Sequence, residues 1–307
     1  MFFNEGAVRQ GGGMWIAITL AATVFQIART SEQHRLKAVL NPVEAGYVRF
    51  AYALPIALTG AALWFTLGPN PAPETNPAFW VAVTGGGIAQ ILGTVALLVS
   101  FRQRDFAIGT VYAKTEVVFV ALASVVLLGE GVTVLAALGA LLCLGGVASL
   151  ATNGQPQRIF EGGLDPALWF GMAAGLGFAL AAVGMRAATT AIEGTAVDRS
   201  IVTLTAMLAV QTAVQGVAIG RSRTSSVRRV TAAWRQATGV AVLSLAGSAG
   251  WTWAIALENA TRVRTLGQVE VIAAFVVGIV VHHEQHSRSS YVAAAVTMAG
   301  IGLVVVG

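Results

Sequence analysis

Residues 114–130 read KTEVVFVALASVVLLGE, and residues 268–284 read QVEVIAAFVVGIVVHHE. Adding 154 to a residue number passes from the first stretch to the second: Glu116 falls on Glu270, Glu130 on Glu284 and, further along, Gly146 on Gly300. The same offset carries Trp15 onto Trp169 and Glu44 onto Asp198. In a chain of 307 residues this offset is one half, so each half reads as one copy of a single unit. Each copy places an acid inside an otherwise apolar helix, where inserting a carboxylate costs roughly 2.5–3.5 kcal/mol. Two related positions keep that cost, which by default marks a functional site.

The surroundings of the two stretches are those of a membrane protein. Hydrophobic residues make up 56% of the chain and charged residues 11%, against about 25% charged residues in a soluble domain. Mean hydropathy is +0.73. Ten apolar stretches of spanning length are expected as transmembrane helices, near 14–28, 46–67, 79–100, 107–128, 131–151, 166–188, 200–219, 237–257, 265–282 and 290–306. The fold class expected is therefore an all-α integral membrane protein. The net charge of +5 does not point to nucleic acid, because the arginines lie in short loops, where the membrane-orientation rule explains them. The single cysteine, Cys143, sits in an apolar span and reads as an inert core thiol. The first thirteen residues lack the apolar core of a signal peptide, so the first span is expected to remain in the mature protein.

Residues 153–166, NGQPQRIFEGGLDP, read as a linker between a first five-helix repeat at 1–152 and a second at 167–307. An odd number of spans per copy inverts the second relative to the first, a plan common among secondary transporters, which place their site near the midplane. The fifth and tenth spans contain no Asp, Glu, Lys or Arg and read as scaffold. The polar spans are expected to surround a pathway, since lipid cannot satisfy polar groups. Gly171 and Gly175 in the sixth span form a small-xxx-small pair suited to close packing. Twelve basic residues lie in the odd-numbered connections and five on the other side, so the positive-inside rule puts both termini outside the cytoplasm.

Glu116 and Glu270, each expected about two turns into its helix, are the leading candidates for a substrate- or proton-binding pair. The bland alternative is an ion pair with Lys114, Arg264 or Arg49 that locks helices together. Lys114 and Glu116 are two residues apart and do not face each other on a helix. Lys114 is therefore expected to find Glu270 or a bound anionic group, and pairing with Glu270 would leave one cation between two acids. Gln268 occupies the position equivalent to Lys114 and keeps hydrogen bonding without charge. Trp251 and Trp253 lie deep enough to line a cavity, while Trp15 and Trp169 read as interface anchors. Gln26, Arg29 and Arg49 are candidates for a polar cluster at one mouth, with snorkelling to the interface as the bland reading of the arginines. His282 and His286 are four residues apart, but they meet a loop and do not form HExxH. No metal site and no cofactor are expected. A phosphate loop, GxSxG and CxxC are absent, which leaves an enzyme reading without support.

The two-copy, ten-span pattern, with Leu128-Gly129-Glu130 and His282-His283-Glu284 closing spans four and nine, resembles the drug/metabolite transporter superfamily, EamA type. Arg49-Phe50 at the start of span two is similar to the family's RF. The segments Val111-Tyr112-Ala113-Lys114-Thr115-Glu116 and Arg264-Thr265-Leu266-Gly267-Gln268-Val269-Glu270 also resemble it, which places Tyr112 and Arg264 among the candidate site residues. The resemblance implies a multi-pass protein of the cell (inner) membrane that exports or exchanges small metabolites or drug-like solutes without ATP hydrolysis, with protons as a coupling ion to be tested. It departs from the family at Val117 and Val271, where many members carry proline, and the family's cytoplasmic termini conflict with the count of basic residues. A passive channel-like facilitator with structural acids, and a membrane-embedded enzyme or sensor, are the competing readings. Uphill flux separates a coupled carrier from a facilitator, and a catalytic set facing water would mark an enzyme.

Overall fold

A computed structural model describes residues 13–36, 39–103, 112–152, 166–273, 276 and 288–307 of the chain. Among the described residues every regular element is helical. Hydrocarbon offers no partner to a peptide group, so a spanning segment must satisfy its backbone internally. The helices are α1 (Met14–Leu36), α2 (Pro42–Ala51), α3 (Ala53–Leu67), α4 (Pro77–Gln103), α5 (Glu116–Ala123), α6 (Val134–Ala151), α7 (Pro166–Thr190), α8 (Ala196–Arg221), α9 (Val227–Ala232), α10 (Trp234–Leu257), α11 (Ala260–Leu266) and α12 (Arg288–Val306).

Among the described residues six stretches are long and apolar enough to cross a membrane: Val43–Leu67, Pro77–Ser100, Pro166–Thr190, Ala196–Arg221, Trp234–Leu257 and Arg288–Val306. Met14–Arg29, Glu116–Leu128 and Val134–Ser149 are shorter apolar helices. Parts of the expected spans four and nine, 107–111 and most of 274–282, fall outside the described residues. Several hydroxyls within the spans are satisfied by their own helix. Thr19 donates to the Trp15 carbonyl at 2.7 Å, Thr23 to Thr19 at 2.8 Å and Thr297 to Ala293 at 2.8 Å, which lets threonine sit in apolar surroundings.

The chain forms two compact units, each drawing on both halves of the sequence: residues 1–88 with 184–259, and 89–183 with 260–307. In the first unit α1 packs on α10, and α8 packs on α2, α3 and α10. A core of Leu36, Leu40, Ala45 and Val48 closes over Val230, Ala237 and Val240. Trp15, expected at the lipid interface, is instead buried in this unit, whereas Trp169 of the other unit is exposed.

Two capping boxes in the first unit stand 154 residues apart. Asn41 Oδ1 accepts from Glu44 N at 2.9 Å while Glu44 Oε2 accepts from Asn41 N at 3.0 Å. Thr195 Oγ1 accepts from Asp198 N at 3.2 Å while Asp198 Oδ2 accepts from Thr195 N at 3.3 Å. The reciprocal bonds satisfy two orphan amides at the start of α2 and of α8. Each acid is then held from the other half, Glu44 by the connection that follows α8 and Asp198 by the last turn of α3 with the connection that follows it. Glu44 Oε1 accepts from Ser226 N at 2.7 Å and from Arg229 Nε at 2.9 Å. Asp198 accepts from Trp64 Nε1 at 2.8 Å and Asn70 Nδ2 at 3.1 Å. Glu44→Ala should therefore cost about 2–4 kcal/mol, the sum of a lost cap and charge-assisted bonds. The check is thermal unfolding in detergent together with proteolysis of 222–229, and an unchanged Tm with unchanged cleavage would count against the clamp.

In the second unit α6 lies against α12, and α5 packs on α6 and α11. A Cβ on Gly139 would meet the Gly300 carbonyl at 2.7 Å, and one on Gly146 would meet the Ala293 carbonyl at 2.9 Å. The offset of 154 carries Gly146 onto Gly300 and Gly139 onto Ala293, so each contact is the image of the other. Backbones this close leave room for no side chain, the usual reason for small residues where membrane helices cross.

Candidate functional site

Span four does not run through the Lys114–Glu116 region as an unbroken helix. Residues 112–113 are helical, 114–115 form a turn, and α5 starts at Glu116. Span nine behaves alike: α11 ends at Leu266, 267–268 form a turn, and helix resumes at 269–273. Val117 N donates to Lys114 O at 3.2 Å, and its image, Val271 N, donates to Gln268 O at 3.0 Å. Thr115 N reaches Tyr112 O at 3.3 Å and Gln268 N reaches Thr265 O at 3.0 Å. All four bonds span three residues, the tighter 3₁₀ pattern that often marks a hinge when it interrupts a helix. The expectation that both acids lie two turns into a helix is thus corrected. Glu116 opens α5 and Glu270 is the second residue of the resumed helix, where amide dipoles favour a carboxylate.

Neither break contains proline; Lys114-Thr115 and Gly267-Gln268 occupy the turns. The packing behind the first one explains its position. Gly171 of α7 backs onto the Tyr112 side chain, and a Cβ on Gly175 would lie 3.0 Å from both Ala113 O and Glu116 N. The glycine pair read from the sequence as a helix-packing motif instead seats α7 against a turn. Tyr112 is held there by Ala167 and Leu168.

Two ion pairs cross between the breaks. Lys114 Nζ donates to Glu270 Oε1, and the Arg264 guanidinium donates through Nε and Nη2 to Glu116 Oε1. Lys114, Glu116 and Gln268 are buried, Arg264 and Glu270 half-buried. The cation of one copy holds the acid of the other, twice over. Arg264 changes the expected balance: two cations stand against two acids, so these four groups sum to zero rather than to a net negative site. Burying an ion is tolerable only when it is paired and its remaining valences are met. Gln268 Nε2 donates to Arg264 O at 3.2 Å. Its Oε1 and the Thr265 hydroxyl are buried without a partner among the described residues, leaving an acceptor and a hydroxyl beside the charges.

The other candidates belong to the first unit. Trp251 is buried and its Nε1 donates to Gln26 Oε1 at 3.0 Å. Arg49 is buried with its guanidinium 5.4 Å from the Phe50 ring centre, and Arg29 is half-buried. Trp253 is half-buried, and its Nε1 has no partner among the described residues. The structure therefore brings Lys114, Glu116, Arg264, Gln268 and Glu270 together with Tyr112 in one unit, and Gln26 with Trp251 in the other. His282, His283, Glu284 and His286 lie outside the described residues. The buried Glu44 and Asp198 clamps were not among the candidates, although Asn41-x-x-Glu44 and Thr195-x-x-Asp198 carry the capping-box spacing that would have flagged them.

Residues 13–152 match the EamA-like transporter family. Over that stretch the chain is similar to the drug/metabolite transporter superfamily, whose EamA-like members are integral membrane transporters. The family match implies a membrane transporter. A solved structure described as "Crystal structure of protein" shares the fold at a TM-score of 0.66 and 16% identity, over 97% of this chain and 97% of that chain. No curated protein matches the chain.

Proposed function

We propose that the protein is a secondary transporter that exports or exchanges a small solute by alternating access, built as ten spans in two inverted repeats, 1–152 and 167–307, joined by the linker 153–166. The crossed pairs Lys114–Glu270 and Arg264–Glu116 carry this reading. They sit at equivalent interruptions of spans four and nine, and inverted-repeat transporters bind solutes and ions where half-helices meet. The site comprises these four residues with Gln268 and Tyr112; Gln26, Arg29, Arg49, Trp251 and Trp253 serve the pathway. A carboxylate already bound to a cation can exchange that partner for a solute ammonium or a proton, which would couple flux to binding. The cell (inner) membrane is the proposed location.

The pairing also favours a second reading, a passive facilitator in which both pairs are structural. Purified protein in proteoliposomes separates the two. A carrier accumulates a transported solute against its gradient when a pH or counter-solute gradient is imposed, and Glu116→Gln or Glu270→Gln abolishes this while Glu130→Gln, at a helix end, does not. Flux that only dissipates gradients, or equal loss at all three positions at matched insertion, would reject the coupled carrier.

A further inference from the structure

Residues 221–235, the connection between α8 and α10, hold five arginines and no acid. Their images at 67–81 hold no Lys or Arg and one acid, Glu74. Both connections keep a tryptophan at the same place: Trp80 is 48% exposed and Trp234 55% exposed. An exposed tryptophan at the end of an apolar helix is an interface anchor. Both connections therefore meet an interface, but only one does so with arginine, and anchoring alone does not require it.

The arginine-rich connection is also rigidly built. Arg229 is spent on Glu44, and Asn41 Nδ2 donates to Thr224 O at 3.2 Å and Ser225 Oγ at 3.0 Å. Val230 is buried in the core and its carbonyl accepts from Tyr52 Oη at 3.2 Å. The pin leaves Arg221, Arg223, Arg228 and Arg235 exposed and without a carboxylate partner among the described residues. Arg235 stacks 5.4 Å over the Trp234 ring, and Val227 is 46% exposed beside Arg228. Apolar groups that enter the acyl boundary, with guanidiniums at headgroup height, complement an anionic lipid surface.

We infer that this connection is a binding surface for anionic phospholipid headgroups. It goes beyond the transport reading and does not depend on the ion pairs of spans four and nine. Each basic residue near an anionic surface is worth about fivefold in binding, so three should count for at least tenfold after screening.

The test uses the full chain in a neutral detergent, with retention of phosphatidylglycerol and phosphatidylcholine measured by native mass spectrometry. Phosphatidylglycerol should be retained at least tenfold more strongly. The preference should vanish in R221Q/R223Q/R228Q, persist in the corresponding triple lysine variant, and resist inorganic phosphate at matched ionic strength. Equal retention of the two lipids, an undiminished preference in the glutamine variant, or displacement by inorganic phosphate would overturn the proposal. If the glutamine variant does not fold, the parent decides. Its preference should fall as salt rises from about 0.05 to 0.5 M, over which the Debye length shrinks several-fold, and a salt-independent preference would equally overturn it.

Discussion

Arg264→Gln is expected to destabilise the protein by about 3–5 kcal/mol, and Arg264→Gln together with Glu116→Gln by far less. The single change strands a buried carboxylate, since Arg264 is the cation that binds Glu116 Oε1. The double change removes both ions and leaves two amides of similar length that can bond one another. Stability and transport should therefore separate. Unfolding in detergent should show strong rescue in the double variant, while coupled transport stays lost in both variants, because the single change removes the cation that Glu116 exchanges and the double change removes the Glu116 carboxylate as well. If transport returns with stability, the pair is a structural lock and the facilitator reading gains. The same cycle on Lys114 and Glu270 has a built-in reference, since Lys114→Gln installs the residue that the second copy already carries at Gln268.

Gly300→Val should be more damaging still, with loss of well-folded protein altogether. A Cβ there would fall 2.6 Å from Gly139 O and 2.9 Å from Cys143 Cα. Both are helix backbone and cannot turn aside, so α6 and α12 must separate. Overpacking by a methylene or two costs about 1–3 kcal/mol when side chains can adjust; here they cannot, and the separation also opens the contacts on either side. Gly302→Val is the control on the same helix, because nothing lies within 4 Å of its Cβ position. Monodisperse yield and Tm report the outcome. Similar behaviour of the two variants would mean that the crossing is not the tight joint described.

The all-helical, apolar character is legible because the scarcity of charge survives without any knowledge of packing. A partner for Lys114 other than Glu116 follows from helix geometry alone, since residues two apart point away from each other. The breaks are not legible. Lys114-Thr115 carries no local signal of a turn, and the reason for it, two glycines of α7 and a reciprocal set of ion pairs, comes from residues distant in sequence. For the same cause the charge balance is not legible: the sequence leaves Arg264 as one of several alternatives, and only the fold seats it on Glu116. The compact units interleave segments from both halves of the sequence, a pairing that no local composition reveals.

The absence of proline at the two turns has a geometric corollary. Proline would remove a backbone donor permanently and fix a bend. Here every amide from Lys114 to Val117 and from Gln268 to Val271 keeps its proton, so each turn can rewind. A residue advances about 120° in 3₁₀ geometry and about 100° in an α-helix, with rises of about 2.0 and 1.5 Å. Two residues passing from one to the other would swing everything beyond them by about 40° and draw it in by about 1 Å. The carboxylate just past each turn rides on that rotation, so a change of winding confined to two residues is enough to turn Glu116 or Glu270 from one neighbour toward another.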